Sequence, residues 1–157
     1  MIVVADTTPL NYLILIGEVE LLSTLYENVL IPKEVHRELM HSKSPPQVRA
    51  WAASLPAWCD VREVNAVPDD ALDELDAGER DAILLALDAG VNTLLMDETE
   101  GRREAIRRHL HVTGTVAVLE KAAQHGWIDF RATLLRLEQT NFRLSARVRD
   151  EFIQRNP

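Results

Sequence analysis

Residues 1–10 read MIVVADTTPL. The run Ile2–Ala5 carries no polar alternation, which is what a strand buried on both faces of a sheet requires. Asp6, Thr7, Thr8 and Pro9 follow, ahead of a long apolar segment. A side-chain oxygen just before a helix caps orphan N–H groups, and proline is tolerated in the first turn, so this is also a helix start. A buried strand running straight into a helix is the opening unit of a sheet covered by helices. Asp6 is then either a cap or the first member of a site at the carboxyl end of that strand.

The same alternation continues along the chain. Short apolar runs at Val29–Ile31, Val61–Val64, Thr93–Met96 and His111–Thr113 read as strands. Helical patterns separate them at Pro9–Tyr26, Pro32–His41, Pro46–Ser54, Ala77–Ala89 and Arg102–Leu110, with further helices expected near Val116–Gln124, Phe130–Gln139 and Ser145–Gln154. The turn-rich stretches His41–Gln47 and Asn65–Asp70 read as loops within one domain. The fold class is α/β, a three-layer α/β/α sandwich around a central, mostly parallel sheet of about five short strands. With 157 residues and 46% hydrophobic composition, the chain reads as a single domain over 1–157. Its C-terminal helical extension covers roughly 129–157.

A formal charge of −8 argues against a sequence-blind nucleic-acid binder, which shows a basic footprint. Only Lys33, Lys43 and Lys121 of the 17 basic residues are lysine, so the cationic chemistry is arginine, whose planar fork suits phosphate. The lone Cys59 excludes an internal disulfide or a cysteine metal cluster and fits a reducing compartment. The N-terminus lacks a signal-peptide pattern, and the apolar stretch Leu10–Leu25 is broken by Asn11, Gly17, Glu18 and Glu20. A cytoplasmic protein without membrane association is expected.

In an open parallel sheet, ligands bind outside the carboxyl ends of the strands. Asp6 follows the first strand and Asp97 the fourth, in NTLLMDETEGRREA, so both project from one sheet edge. Glu38, in IPKEVHRELM, borders the buried stripe marked by Val35 and Leu39. Glu79, in LDAGERDAILLALDAG, shares a face with Ala82, Ile83 and Ala86. Each acid has an ordinary alternative: a turn or cap for the aspartates, a solvated helix charge for Glu38, and a capping box with Asp76 for Glu79. Four carboxylates converging on one point repel one another unless a cation neutralises them. An all-oxygen set without cysteine or a close histidine pair favours Mg²⁺ or Mn²⁺. Such ions activate water and orient a phosphodiester for in-line attack without any protein nucleophile. No nucleophile elbow, Walker-type glycine loop or zinc helix motif is present.

The ordered set VVADTTPL, IPKEVHREL, DAGERDAILLAL and LLMDETEGRREA, followed by HVTGTVAVLEKAAQHGWI, resembles the PIN-domain family, in particular its VapC-like prokaryotic branch. The resemblance covers roughly residues 1–128. It implies a compact α/β/α fold and a Mg²⁺- or Mn²⁺-dependent ribonuclease, with RNA as substrate and the role of a toxin held silent by a cognate antitoxin protein. By that likeness Asp6, Glu38, Glu79 and Asp97 are both the catalytic and the metal-binding acids. A glutamate stands where the family more often has aspartate, which leaves Asp81 as the alternate to Glu79. Glu98 and Glu100 are alternates to, or companions of, Asp97.

Supporting roles fall to nearby side chains. Thr7 either bonds a water or phosphate oxygen at the site or shares the helix cap with Asp6 and Thr8. Arg102 is placed to clamp a phosphate or to pair with Asp97 or Glu98, while Arg108 pairs with Glu104 at helical spacing. Arg103 and Arg107, in RREAIRRH, form the candidate RNA-backbone patch, although charged runs are commonly solvated faces. The five histidines share no metal-ligand spacing, and Trp51, Trp58 and Trp127 are expected to pack. Two other classes remain: a catalytically silent module of this fold that binds a protein partner, and phosphoryl transfer through an aspartyl phosphate. The latter normally carries a second aspartate where this chain has Thr8. The Leu10–Leu25 helix and the C-terminal helices offer an interface for a homodimer.

Overall fold

The computed structural model describes residues 1–157. In chain order it contains β1 (Ile2–Ala5), α1 (Thr7–Leu15), α2 (Leu21–Leu25), β2 (Asn28–Pro32), α3 (Lys33–Met40), α4 (Pro46–Ala53) and β3 (Cys59–Arg62). It continues with α5 (Ala77–Asp88), β4 (Thr93–Leu95), α6 (Thr99–Arg107), β5 (His111–Thr113), α7 (Thr115–Gln124), α8 (Phe130–Glu138) and α9 (Ala146–Arg155). All five strands are parallel, in the order β3-β2-β1-β4-β5.

The strand alternation splits the interior into two apolar layers. Val3, Ala5, Val29, Ile31 and Leu95 face the larger core, against α1, α3, α4, α7 and α8. Val4, Leu30, Leu94 and Met96 face the smaller one, against α5 and α6. Successive residues of a strand point to opposite faces, so an all-apolar run such as Ile2–Ala5 serves both layers. The architecture is the α/β/α sandwich with a central parallel sheet expected from the sequence.

Three boundaries differ from expectation. The single helix Pro9–Tyr26 is two, because Gly17 adopts φ 75°, a left-handed conformation that ends α1 and redirects the chain into α2. The third strand is Cys59–Arg62 and not Val61–Val64. As an edge strand paired only to β2 it is not fully buried, so an unbroken apolar run is the wrong signature for it. The sixth helix starts at Thr99, before Arg102, with Glu98 at its N-cap. A Cβ at Gly101 would lie 2.5 Å from Met96 Sδ, so the bare glycine lets this first turn sit on the end of β4.

The C-terminal helices pack on the body of the chain. Phe130, Leu134 and Leu137 of α8 belong to the larger core, and Phe152 and Ile153 of α9 lie against it. Arg136 donates to the Ile16 carbonyl and pairs with Glu18 at 2.6 Å, closing the turn after α1. No helix is long and apolar enough to cross a membrane.

Candidate metal centre at the carboxyl edge of the sheet

The chain leaves β1 in one direction through β2 to β3, then returns to the other side of β1 at β4. That reversal puts the topological switch point between β1 and β4, where open parallel sheets bind ligands. Val4 and Ala5 pair in register with Leu94 and Leu95, and the Asp6 N–H donates to the Leu95 carbonyl at 2.9 Å. Asp6 therefore leaves the sheet beside Met96, with Asp97 and Glu98 following.

Asp6, Glu79 and Glu98 each offer one carboxylate oxygen, and these atoms all lie within 4.8 Å of one another. Asp6 is 2% exposed and Glu79 7% exposed, while Glu98 is the solvent-facing member of the three. Asp6 occupies the N-cap position of α1 without making a side-chain cap hydrogen bond. Its Oδ1 is buried and has no hydrogen-bond partner. The capping explanation for Asp6 therefore does not describe what its side chain does.

The threonines do not cap the helix either. Thr7 Oγ1 donates to Glu38 Oε2, and Thr8 Oγ1 donates to Glu98 Oε1 at 2.5 Å. Consecutive residues in the first turn of α1 thus reach in different directions and hold two acids from distant parts of the chain. Glu38 sits on α3 between the fully buried Val35 and Leu39, and its carboxylate lies against Gly78. A Cβ at Gly78 would be 2.5 Å from Glu38 Oε1, so this glycine admits the acid to the start of α5.

Asp97 is tied down differently. Its Oδ1 accepts from the Thr115 N–H at 2.9 Å and its Oδ2 from Thr115 Oγ1 at 2.6 Å, which anchors the end of β4 to the first turn of α7. Glu38 and Asp97 flank the close trio and lie outside that 4.8 Å group. Among the alternates, Glu98 joins the trio. Asp81 pairs with Arg80 at 3.1 Å, and the exposed Glu100 pairs with Arg103 at 3.3 Å. Arg102 Nη1 donates to the Met96 carbonyl at 3.0 Å, which places the guanidinium beside Asp97 and Gly114. Arg103 and Arg107 are exposed, and each is engaged by an acid of its own helix, Glu100 and Glu104. Arg108 pairs with Glu104 at 2.9 Å and also with Asp69 at 2.8 Å.

Sequence reasoning gave Asp76 only a capping role. It does cap α5, accepting from the Glu79 N–H at 2.9 Å, and its charge also raises the pKa values of Asp6, Glu38 and Glu79. The Asp76–Glu79 spacing that suggests a capping box could have shown that two acids open this helix side by side. Trp51 and Trp58 pack on the larger core, but Trp127 is 44% exposed and stacks on His125 with ring centroids 4.4 Å apart.

The electrostatics follow from burial and crowding. Burial pushes the Asp6 pKa up strongly, and Asp76, Glu79 and Glu38 push it further, against the Thr7 N–H that favours the charged form. Glu79 is raised from 4.5 to about 7, by burial first and then by Asp76 and Glu98. Burial also raises Glu38 and Asp97, opposed by the Thr7 hydroxyl in one case and the Thr115 donors in the other. A crowded, partly buried set of carboxylates containing an orphaned buried oxygen is suited to a hard cation, and an all-oxygen donor set fits Mg²⁺ or Mn²⁺.

This geometry fixes a pH dependence for the metal-free chain. A carboxyl whose folded pKa lies above its unfolded value binds more protons when folded, so stability falls as pH rises between the two values. For Glu79 that window runs from 4.5 to about 7, and Asp6 acts with the same sign. In chelator, the melting temperature is expected to fall from about pH 5 to about pH 8, and added Mn²⁺ should reduce the fall. A metal-free melting temperature that is flat or rises across this interval would contradict the crowding described above.

Comparison with known proteins bears on the whole chain. A protein-family model for the PIN domain matches residues 2–156, so it reaches through α8 and α9, well past the segment near residue 128 where the motif resemblance thins. No curated protein matches the chain.

Proposed function

The chain belongs to the PIN-domain family, a nuclease-type fold, and on that premise we propose that it is a Mg²⁺- or Mn²⁺-dependent endoribonuclease that hydrolyses RNA phosphodiester bonds. The observation that carries this reading is Asp6 Oδ1, buried and without a hydrogen-bond partner, in a side chain whose carboxylate lies within 4.8 Å of those of Glu79 and Glu98. Asp6, Glu79 and Glu98 would hold the ion, with Glu38 and Asp97 beside them. When bound, it supplies the Lewis-acid charge that polarises a phosphodiester and makes water nucleophilic at neutral pH. Thr7 and Thr8 fix Glu38 and Glu98 by their hydroxyls, which sets where these carboxylates point before any ligand arrives. Arg102, at the edge of the acidic cluster, offers a guanidinium to an incoming phosphate.

The likeness to the VapC-like branch extends the proposal to a toxin of a toxin–antitoxin pair, working in the cytoplasm and silenced by a cognate antitoxin. The test is cleavage of structured RNAs, with thermal stability followed as Mn²⁺ is titrated. Cleavage is expected with Mn²⁺ or Mg²⁺, to vanish in chelator, and to accompany a rise in melting temperature. Neither cutting nor a metal-dependent shift, in a chain that still binds a protein partner, would replace the enzyme with a silent binding module. Normal growth of cells making large amounts of the active enzyme would remove the toxin role alone.

A further inference from the structure

Beside the acidic cluster lies a cleft of about 700 Å³ between the N-terminal parts of α1, α6 and α7, the segment that joins α8 to α9, and α9 itself. Glu98 belongs to both the cluster and the cleft wall, so the cleft begins where the candidate metal centre ends. Its size lies within the range of sites that enclose a small organic group. Its chemistry is mixed. Tyr12, Phe142 and Phe152 supply aromatic surface, Arg102 and Arg143 supply positive charge, and Asn141 supplies an amide.

We propose that this cleft is a nucleobase subsite, which holds one unstacked base of the RNA next to the bond being cut. The choice of ligand rests on the nuclease reading. Single-stranded RNA is recognised by splaying a base out, stacking it on aromatic or guanidinium planes and hydrogen-bonding its edge, and these three kinds of group line the cleft. The Tyr12 hydroxyl donates to Asn141 Oδ1 at 2.8 Å, which takes one of that oxygen's two acceptor positions and fixes the amide with its NH₂ left to donate to a base acceptor. Tyr12 and Phe142 meet edge to face at 5.0 Å, so the joining segment is held by an aromatic contact as well as by this hydrogen bond. Arg143 is exposed and makes no ion pair, unlike Arg103 and Arg107, and at Tyr12 its positive charge opposes the larger effect of Glu98 and Asp97. In a chain of formal charge −8, arginines at the rim of an acid cluster are placed where a phosphate backbone would otherwise be repelled. The C-terminal helices then contribute to the site by carrying one of its walls.

The test is a titration of the isotope-labelled full chain in chelator, by NMR, with the four nucleoside 5′-monophosphates and with ribose 5-phosphate as the base-less control. At least one nucleotide is expected to bind about ten-fold more tightly than ribose 5-phosphate, with shifts at Asn141 and Phe142. Phe142→Leu and Asn141→Ala should each weaken that nucleotide about five-fold or more while leaving the melting temperature rise caused by Mn²⁺ unchanged. Equal binding of all five ligands would overturn the proposal, as would base-dependent binding that neither variant alters. So would the absence of nucleotide binding, the outcome if the cleft takes a partner protein's side chain instead. Base-dependent binding by a chain that cuts no RNA would keep the subsite and discard the nuclease; cutting without base-dependent binding would do the reverse.

Discussion

Asp6→Asn is expected to lower metal-dependent RNA cleavage by about 10³-fold while making the metal-free chain more stable by about 0.5–2 kcal/mol. The two effects share one cause. Asp6 is 2% exposed, its Oδ1 has no partner, and Asp76, Glu79 and Glu38 all act against its charge. Asparagine keeps the shape and one acceptor oxygen but removes that charge, so the folded state no longer carries an unmatched buried carboxylate. No helix cap is lost, because Asp6 makes none. Single-turnover cleavage with Mn²⁺ and thermal melting in chelator read the two quantities separately. Wild-type cleavage by the variant would remove Asp6 from the site, and a loss of stability in chelator would show that the carboxylate, through the Thr7 N–H, stabilises the fold by more than its burial costs.

The parts of this molecule that could be read from the sequence are those fixed by local periodicity. The run Ile2–Ala5 needs apolar residues on both faces, and it places Val3 and Val4 in opposite core layers. The placement of Asp6 at the carboxyl edge of the sheet follows from the end of that strand, whereas the strand order that makes this edge the switch point emerges only in the fold. What escaped depends on side chains meeting across distant segments. Asp6 and Asp97 both follow strands at this edge, but Asp6 is level with Met96 and Asp97 comes one residue later; Thr115 takes both oxygens of Asp97, and the next residue, Glu98, turns its carboxylate toward Asp6 and Glu79. That difference arises from a contact between residues 18 apart in sequence, which no strand or helix pattern encodes. Thr7 and Thr8 fit a capping pattern, but hydroxyls in that position have a second choice when an acid from another element lies within reach. The cleft wall at Asn141–Ser145 lies in the C-terminal segment where motifs are sparse, and only the folding of α8 and α9 onto the core brings it beside Glu98.

Two glutamates and their sequence neighbours give the sharpest test of which acids form the centre. Glu79→Gln and Glu98→Gln are each expected to cut metal-dependent cleavage by about 10²-fold or more, whereas Asp81→Asn and Glu100→Gln should stay within about two-fold. Each pair is separated by only two positions on one helix or its cap, so composition and local propensity are nearly the same for both members. The difference lies in direction. Glu79 and Glu98 bring carboxylate oxygens to the Asp6 group, while Asp81 turns to Arg80 and Glu100 turns to Arg103. An exposed pair such as Glu100–Arg103 contributes little to stability, and the acids that act on Asp6 are Asp76, Glu79 and Glu38. Glutamine at 79 or 98 keeps the side-chain length but removes one unit of negative charge from the group that a cation would neutralise, so Mn²⁺ affinity should fall together with cleavage. The Thr8 hydroxyl can still donate to a glutamine oxygen at 98, which keeps the first turn of α1 in place and separates loss of charge from loss of structure. Equal losses from Glu79→Gln and Asp81→Asn, or from Glu98→Gln and Glu100→Gln, would mean that net negative charge along this edge matters and the Asp6-centred geometry does not.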